Sequence, residues 1–156
     1  MAYKILIAIA GLFGLLHLFR TADRFARIIL VGQIAAIGLV LFYEPGARLG
    51  MQIYMAALVL IMLYGFTQKG LIRKKRNVII SMAFFALLPW VFRIYHYPGA
   101  GWLGLLMIIP VVLYVKIAAA HIKSYKNEFA FLTILAVDAI IVLFLQAEWL
   151  LHKLNQ

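Results

Sequence analysis

The stretch FRIYHYPGAGWLG, Phe92 to Gly104, decides how the rest of the chain is read. Two long apolar runs meet there at a Pro98-Gly99 turn, with Trp90, Arg93, Tyr95, His96, Tyr97 and Trp102 gathered around it. Proline fixes its own φ and drives the residue before it out of helical geometry, while glycine permits a reversal of direction. The stretch therefore reads as the tip of a helical hairpin.

Working outward, six apolar runs follow one another: Ala2–Phe19, Ala26–Tyr43, Gly50–Gln68, Asn77–Tyr95, Gly101–Ala120 and Glu128–Leu151. Each is near the ~20 residues a helix needs to cross ~30 Å of hydrocarbon. The runs are apolar on all faces and show no strand alternation, which favours helices facing lipid. The first run is the shortest, so lying in the membrane interface is its alternative. The expected fold is all-α: one polytopic transmembrane bundle over residues 1–156, with six spans, or five if the first run does not cross. Connections this short make sequential neighbours antiparallel.

Composition excludes a soluble domain. The 156 residues are 67% hydrophobic and 13% charged, with a mean hydropathy of +1.03. A soluble fold of this size has too much surface for its volume to hide so much apolar area. The first run resembles a signal peptide but lacks a small-x-small cleavage site, so it is expected to be a retained span. The chain has no cysteine, which rules out disulfides, thiol catalysis and cysteine-based metal or iron–sulfur sites. The formal charge of +10 points to anionic lipid rather than nucleic acid, because no basic face with interleaved aromatics lies outside the runs. GxSxG, Walker A, HExxH and HxxxH patterns are absent, so a conventional enzyme is not expected.

Charge gives an orientation. Arg20, Arg24 and Arg27 follow the first run; Lys69, Arg73, Lys74, Lys75 and Arg76 follow the third; Lys116, Lys123 and Lys126 end or follow the fifth. Eleven of the 15 basic residues thus fall on alternate connections, which the positive-inside rule places in the cytoplasm, with both termini outside. Trp90, Trp102 and Trp149 fall at the opposite ends, where an aromatic belt belongs. Glu44 and Glu148 lie at that same outer boundary. The connections Tyr43–Gly50 (YEPGARLG) and Tyr95–Gly104 (YHYPGAGWLG) share Pro-Gly-Ala followed by Leu-Gly. That echo suggests a tandem two-helix repeat, although turn chemistry alone can produce it.

Phe92-Arg93-Ile94-Tyr95-His96-Tyr97-Pro98-Gly99-Ala100 resembles an F-[KR]-I-x-H-[WFY]-P-G-A pattern. That pattern belongs to the transmembrane hairpin of gliding-motility protein L, the stator-like partner in the proton-driven motor of type IX secretion. The resemblance covers about 92–104 only. It implies a shared hairpin and a bacterial inner-membrane home, with Arg93 matching the family's basic residue and His96 its histidine near the turn. The family's second hairpin helix carries a mid-membrane glutamate; here that helix, GWLGLLMIIPVVLYVKIAAA, has no acid.

Among candidate residues, Asp138 is the sharpest. It lies about ten residues into the last run, roughly 15 Å along a helix and near mid-membrane. An acid there is a functional candidate unless it is neutral or paired. It could carry protons; the plainer reading is a protonated acid locking helices together. Gln33, at comparable depth on the second run, is its expected hydrogen-bond partner. Arg93 and His96, one turn apart near the outer surface, could form an outer mouth that binds an anion or feeds protons inward. Structurally, Arg93 would instead snorkel and close its helix. Two histidine pairs, His17 with His121 and His96 with His152, share depths at which imidazoles could hold a b-type haem. All four also sit at helix ends, where polar residues belong anyway, and no cofactor is expected. Pro89 and Pro110 are expected to kink the fourth and fifth runs. Gly32 and Ala36 form a small-xxx-small step suited to close packing. The Arg73–Arg76 run reads as a stop and orientation signal, with binding of acidic lipid or a partner second.

The leading functional expectation is a non-catalytic subunit of an inner-membrane complex, assembled with itself or with other proteins. The alternative is a small proton-coupled transporter or channel using Asp138. A haem- or quinone-binding redox anchor is the third class.

Overall fold

A computed structural model describes the backbone of residues 2–68, 71–97 and 99–154, with the side chains of all of these apart from 2, 44, 100, 101 and 154. Pro98, Lys69, Gly70 and the Glu44 side chain therefore lie outside the described residues. Among the described residues all regular structure is helical, and the protein is an all-α bundle. The elements are α1 (Ala2–Leu18), α2 (Arg24–Phe42), α3 (Ala47–Thr67), α4 (Arg73–Ile94), α5 (Ala100–Leu103), α6 (Ile108–Ala120) and α7 (Phe129–Leu154). Four of them, α2, α3, α4 and α7, are long and apolar enough to cross a membrane; α1 and the stretch through α6 are apolar but shorter.

The helix boundaries follow local chemistry. Asp23 precedes α2 in extended geometry, and its Oδ1 accepts the Ala26 N–H at 2.9 Å. Such a cap is worth about 1 kcal/mol, and it starts the helix two residues before the apolar run. Its Oδ2 accepts from Gln68 Nε2 at 3.0 Å, which ties the start of α2 to the end of α3. The Arg73–Arg76 cluster is not a linker; it forms the first turn of α4. Pro89 sits inside a continuous α4. Pro110 acts differently. It has no N–H to give the Leu106 carbonyl and its ring crowds that carbonyl. The backbone just before it, Gly104–Met107, is wound as a 3-10 helix between α5 and α6.

The packing is a ring in chain order, closed by α7. α2 lies along α3, α3 along α4, α4 along α6, and α6 along α7, while α7 also packs on α1, α2 and α4. α7 is accordingly the most enclosed helix, with Leu132, Leu135 and Ala139 fully buried. The α2–α3 pair is close: a Cβ on Gly50 would stand 2.9 Å from the Ala36 carbonyl oxygen, and Gly32 faces the Ala57 methyl. The Gly32/Ala36 step thus serves helix packing. α1 runs upright beside α2 and α7 and does not lie across the bundle. Phe13 meets Phe129 edge-on at 6.1 Å, Gly14 faces Ile134, and Ile7 and Ala10 share a cavity with Val137 and Asp138. That pairing is antiparallel.

The two echoing connections fold differently. Glu44–Gly46 is a 3-10 turn with Gly46 at φ −84°, whereas Gly99 takes φ +88°. The shared letters serve two geometries, as turn chemistry allows.

Candidate functional site

α7 brings Asp138 to the middle of the bundle. The Trp90 indole N–H of α4 donates to Asp138 Oδ2 at 3.0 Å. Trp90 is therefore not a headgroup-belt residue: its N–H points at the Asp138 carboxylate, a partner that lipid cannot supply. The Tyr54 hydroxyl of α3 faces the same carboxyl and is buried, but stands outside hydrogen-bonding geometry. The Arg93 guanidinium lies over the Trp90 ring at 5.5 Å, and its charge acts on Asp138. Trp102 and Trp149 stay exposed at the bundle end, edge-on at 6.2 Å.

A cavity of about 190 Å³ abuts this group, bounded by Asp138, Trp90 and Tyr54 and otherwise by apolar side chains of α1, α2, α3 and α7. Helices surround it; Asp138 is partly buried and stands on the wall of this cavity, which is apolar over almost all of its surface. The site thus combines one carboxyl, one phenol and one indole with space beside them. It can hold a proton on the carboxyl and a small, largely apolar group in the space beside it.

Gln33 is elsewhere. Its Nε2 donates to the Phe131 carbonyl at 3.3 Å, and its fully buried Oε1 has no partner. Phe131 lies seven residues, about 10 Å of helix, before Asp138. The expected Gln33–Asp138 bond is therefore replaced by a side chain-to-backbone tie between α2 and the start of α7. The expected equal depth does not hold: Gln33 is level with Phe131, about two turns of α7 away from Asp138.

A second polar cluster, unmarked in the sequence, occupies the basic end. Glu128, 2% exposed, accepts from the Tyr64 hydroxyl at 2.8 Å and pairs with Lys75 at 2.9 Å. Lys75 also donates to the Ser124 carbonyl at 2.6 Å and lies over the Tyr125 ring. Tyr64 stacks on Phe25 at 5.7 Å. One acid at the start of α7 therefore links α2, α3 and α4, where the helix dipole favours negative charge. Burial, with Glu128 beside it, pushes the Tyr125 hydroxyl above its ordinary value. The available signal was an acid standing alone among basic connections.

His96 closes α4. It takes φ +52°; its N–H reaches the Arg93 carbonyl at 3.3 Å, and the Tyr97 N–H reaches the Phe92 carbonyl at 3.0 Å. These two bonds are the Schellman pattern, completed by the Phe92–Tyr97 ring contact at 5.3 Å. Arg93 and His96 consequently diverge: Arg93 joins the Asp138 site, while His96 is exposed at the cap. The other histidines are dispersed. His17 Nδ1 sits 3.0 Å from the Phe13 carbonyl on α1, His121 lines a groove between α4 and α6, and His152 is exposed on α7. Among the described residues no three His, Asp or Glu side chains cluster as a metal site.

In comparisons with protein-family models, curated proteins and solved structures the chain matches none of them, so its chemistry is read from its own residues.

Proposed function

We propose that the protein is a small integral membrane carrier or channel coupled to protons, in which Asp138 takes up and releases the proton. The observation that carries this reading is a cavity inside the bundle with Asp138, Trp90 and Tyr54 on its wall. An acid that only locks helices together is closed in by its partners. Here Trp90 satisfies one oxygen, and Asp138 still stands on the wall of a cavity of about 190 Å³. Intramembrane acids that face a cavity mark substrate and proton paths. Arg93, one turn beyond Trp90, supplies a counter-charge on the tryptophan side of the site. The hairpin resemblance asks for a mid-membrane acid opposite this basic residue. Asp138 supports that pairing from α7, in place of the acid-free second helix of the hairpin.

Purified protein reconstituted into liposomes with a trapped pH-sensitive dye tests the reading. An imposed gradient is expected to drive proton entry that falls at least about tenfold in Asp138→Asn, while the variant elutes and melts like the parent. Unchanged flux in a folded Asp138→Asn protein removes the reading. A non-catalytic subunit of an inner-membrane complex is the second reading; it rests on the hairpin resemblance, and a stoichiometric partner retained in mild detergent supports it.

A further inference from the structure

Between α4 and α6, at the basic end, lies a groove of about 530 Å³. Its rim is formed by two exposed cations, Lys74 and Lys116, with the exposed His121 beside them. Its floor is apolar, formed by Val78 and Leu113, which lie about one turn deeper than Lys74 and Lys116, and by the buried Ile117 between Lys116 and His121. The charges are not equivalent. Lys75, also on the groove, is already paired with Glu128. Among the described residues, Lys74 and Lys116 have no carboxylate at ion-pairing distance.

The start of α4 sharpens the imbalance. Its first turn holds Arg73, Lys74, Lys75 and Arg76 with no acid, and Ile72 at the cap offers no side-chain acceptor. A helix N-terminus already carries about half a positive unit charge, so cations stacked on it repel unless an anion from outside joins them. Cations at the bundle end over an apolar floor follow the order of a lipid headgroup over its chains.

We propose that this groove binds one acidic phospholipid, its phosphate held between Lys74 and Lys116 beside His121 and its chains laid on Leu113, Ile117 and Val78. A free anion would match the rim and leave the floor unused; a zwitterionic lipid would match the floor and leave the charge unanswered. Basic pockets between membrane helices recognise acidic headgroups in this way. The inference is independent of the role given to Asp138.

The test uses the full chain in dodecylmaltoside micelles with added phosphatidylglycerol, phosphatidylcholine or inorganic phosphate, read by native mass spectrometry and by melting. Phosphatidylglycerol is expected to be retained as a single adduct and to raise the melting midpoint, and the other two to do neither. Lys74→Gln with Lys116→Gln is expected to weaken that binding at least about tenfold. The control Arg20→Gln with Arg24→Gln, which removes the same charge at the same end but off the groove, leaves it unchanged. Equal loss in both double variants, an equal effect of inorganic phosphate, or equal retention of phosphatidylcholine would each overturn the proposal.

Discussion

At the scale of single residues, His96 shows how backbone geometry can settle what a side chain is for. A non-glycine residue in the left-handed region is strained, by about 1–2 kcal/mol for most side chains, and histidine is among the types that tolerate it better. Since the His96 imidazole is exposed, replacement by glycine relieves the strain at the cost of a freer unfolded chain. His96→Gly is therefore expected to raise stability in detergent by about 0.5–1 kcal/mol. A lower melting midpoint would show instead that the imbalance is offset by a contact of the ring. The depth of Asp138 was legible in the sequence, because it is an acid about ten residues into an apolar run. Its partners were not. Tyr54 and Trp90 sit in runs that are apolar on every face, so periodicity gives no rotation for either helix. Only packing turns the Trp90 N–H onto the carboxyl.

At the scale of helices, the α2–α3 crossing offers the cleanest contrast. A Cβ on Gly50 would meet the Ala36 carbonyl oxygen and Val40 Cγ2, both at 2.9 Å, and backbone cannot step aside as a side chain can. Gly50→Ala is expected to force the two helices apart and cost about 1–3 kcal/mol. Gly38, on the same helix as Ala36, has nothing within 4 Å of the corresponding position. There Gly38→Ala gains helix propensity and is expected to be neutral or stabilising by up to about 1 kcal/mol. Thermal unfolding of the two variants in one detergent checks both signs; a similar loss in each would mean that glycine content, and not the crossing, governs this pair. The run boundaries were legible to within a few residues, since apolar length and capping residues are local properties. The 3-10 segment before Pro110 was not. There the missing N–H coincides with tighter winding over Gly104–Met107, which apolar periodicity does not signal.

At the scale of the whole molecule, the arrangement of charge makes a statement that labelling can check. The basic segments meet at one end: Lys75 reaches Ser124 and Glu128, and Phe13, one turn before His17, packs on Phe129. The charge pattern leads one to expect that end in the cytoplasm, and α1, like the stretch through α6, is apolar but shorter than the four helices long enough to cross. Its 17 residues span about 26 Å, short of the ~30 Å hydrocarbon core. Local thinning and snorkelling of polar residues close such a gap at modest cost; Lys4 lies in the first turn of α1 and Arg20 just past its end. Its antiparallel contact with α7, from Phe13 at Phe129 to Ile7 near Asp138, requires it to stand as upright as α7 does. The chain lacks cysteine, so single cysteines give an unmixed signal with a membrane-impermeant maleimide. In intact cells Tyr3→Cys, Arg48→Cys and His152→Cys are expected to react, while Ala22→Cys and Lys123→Cys react only after the membrane is opened. If Tyr3 and Ala22 label from the same side while the other three behave as expected, α1 lies in the interface; the cavity beside Asp138 then loses the wall that Ile7 and Ala10 provide, and the proton path argued from that cavity loses its support.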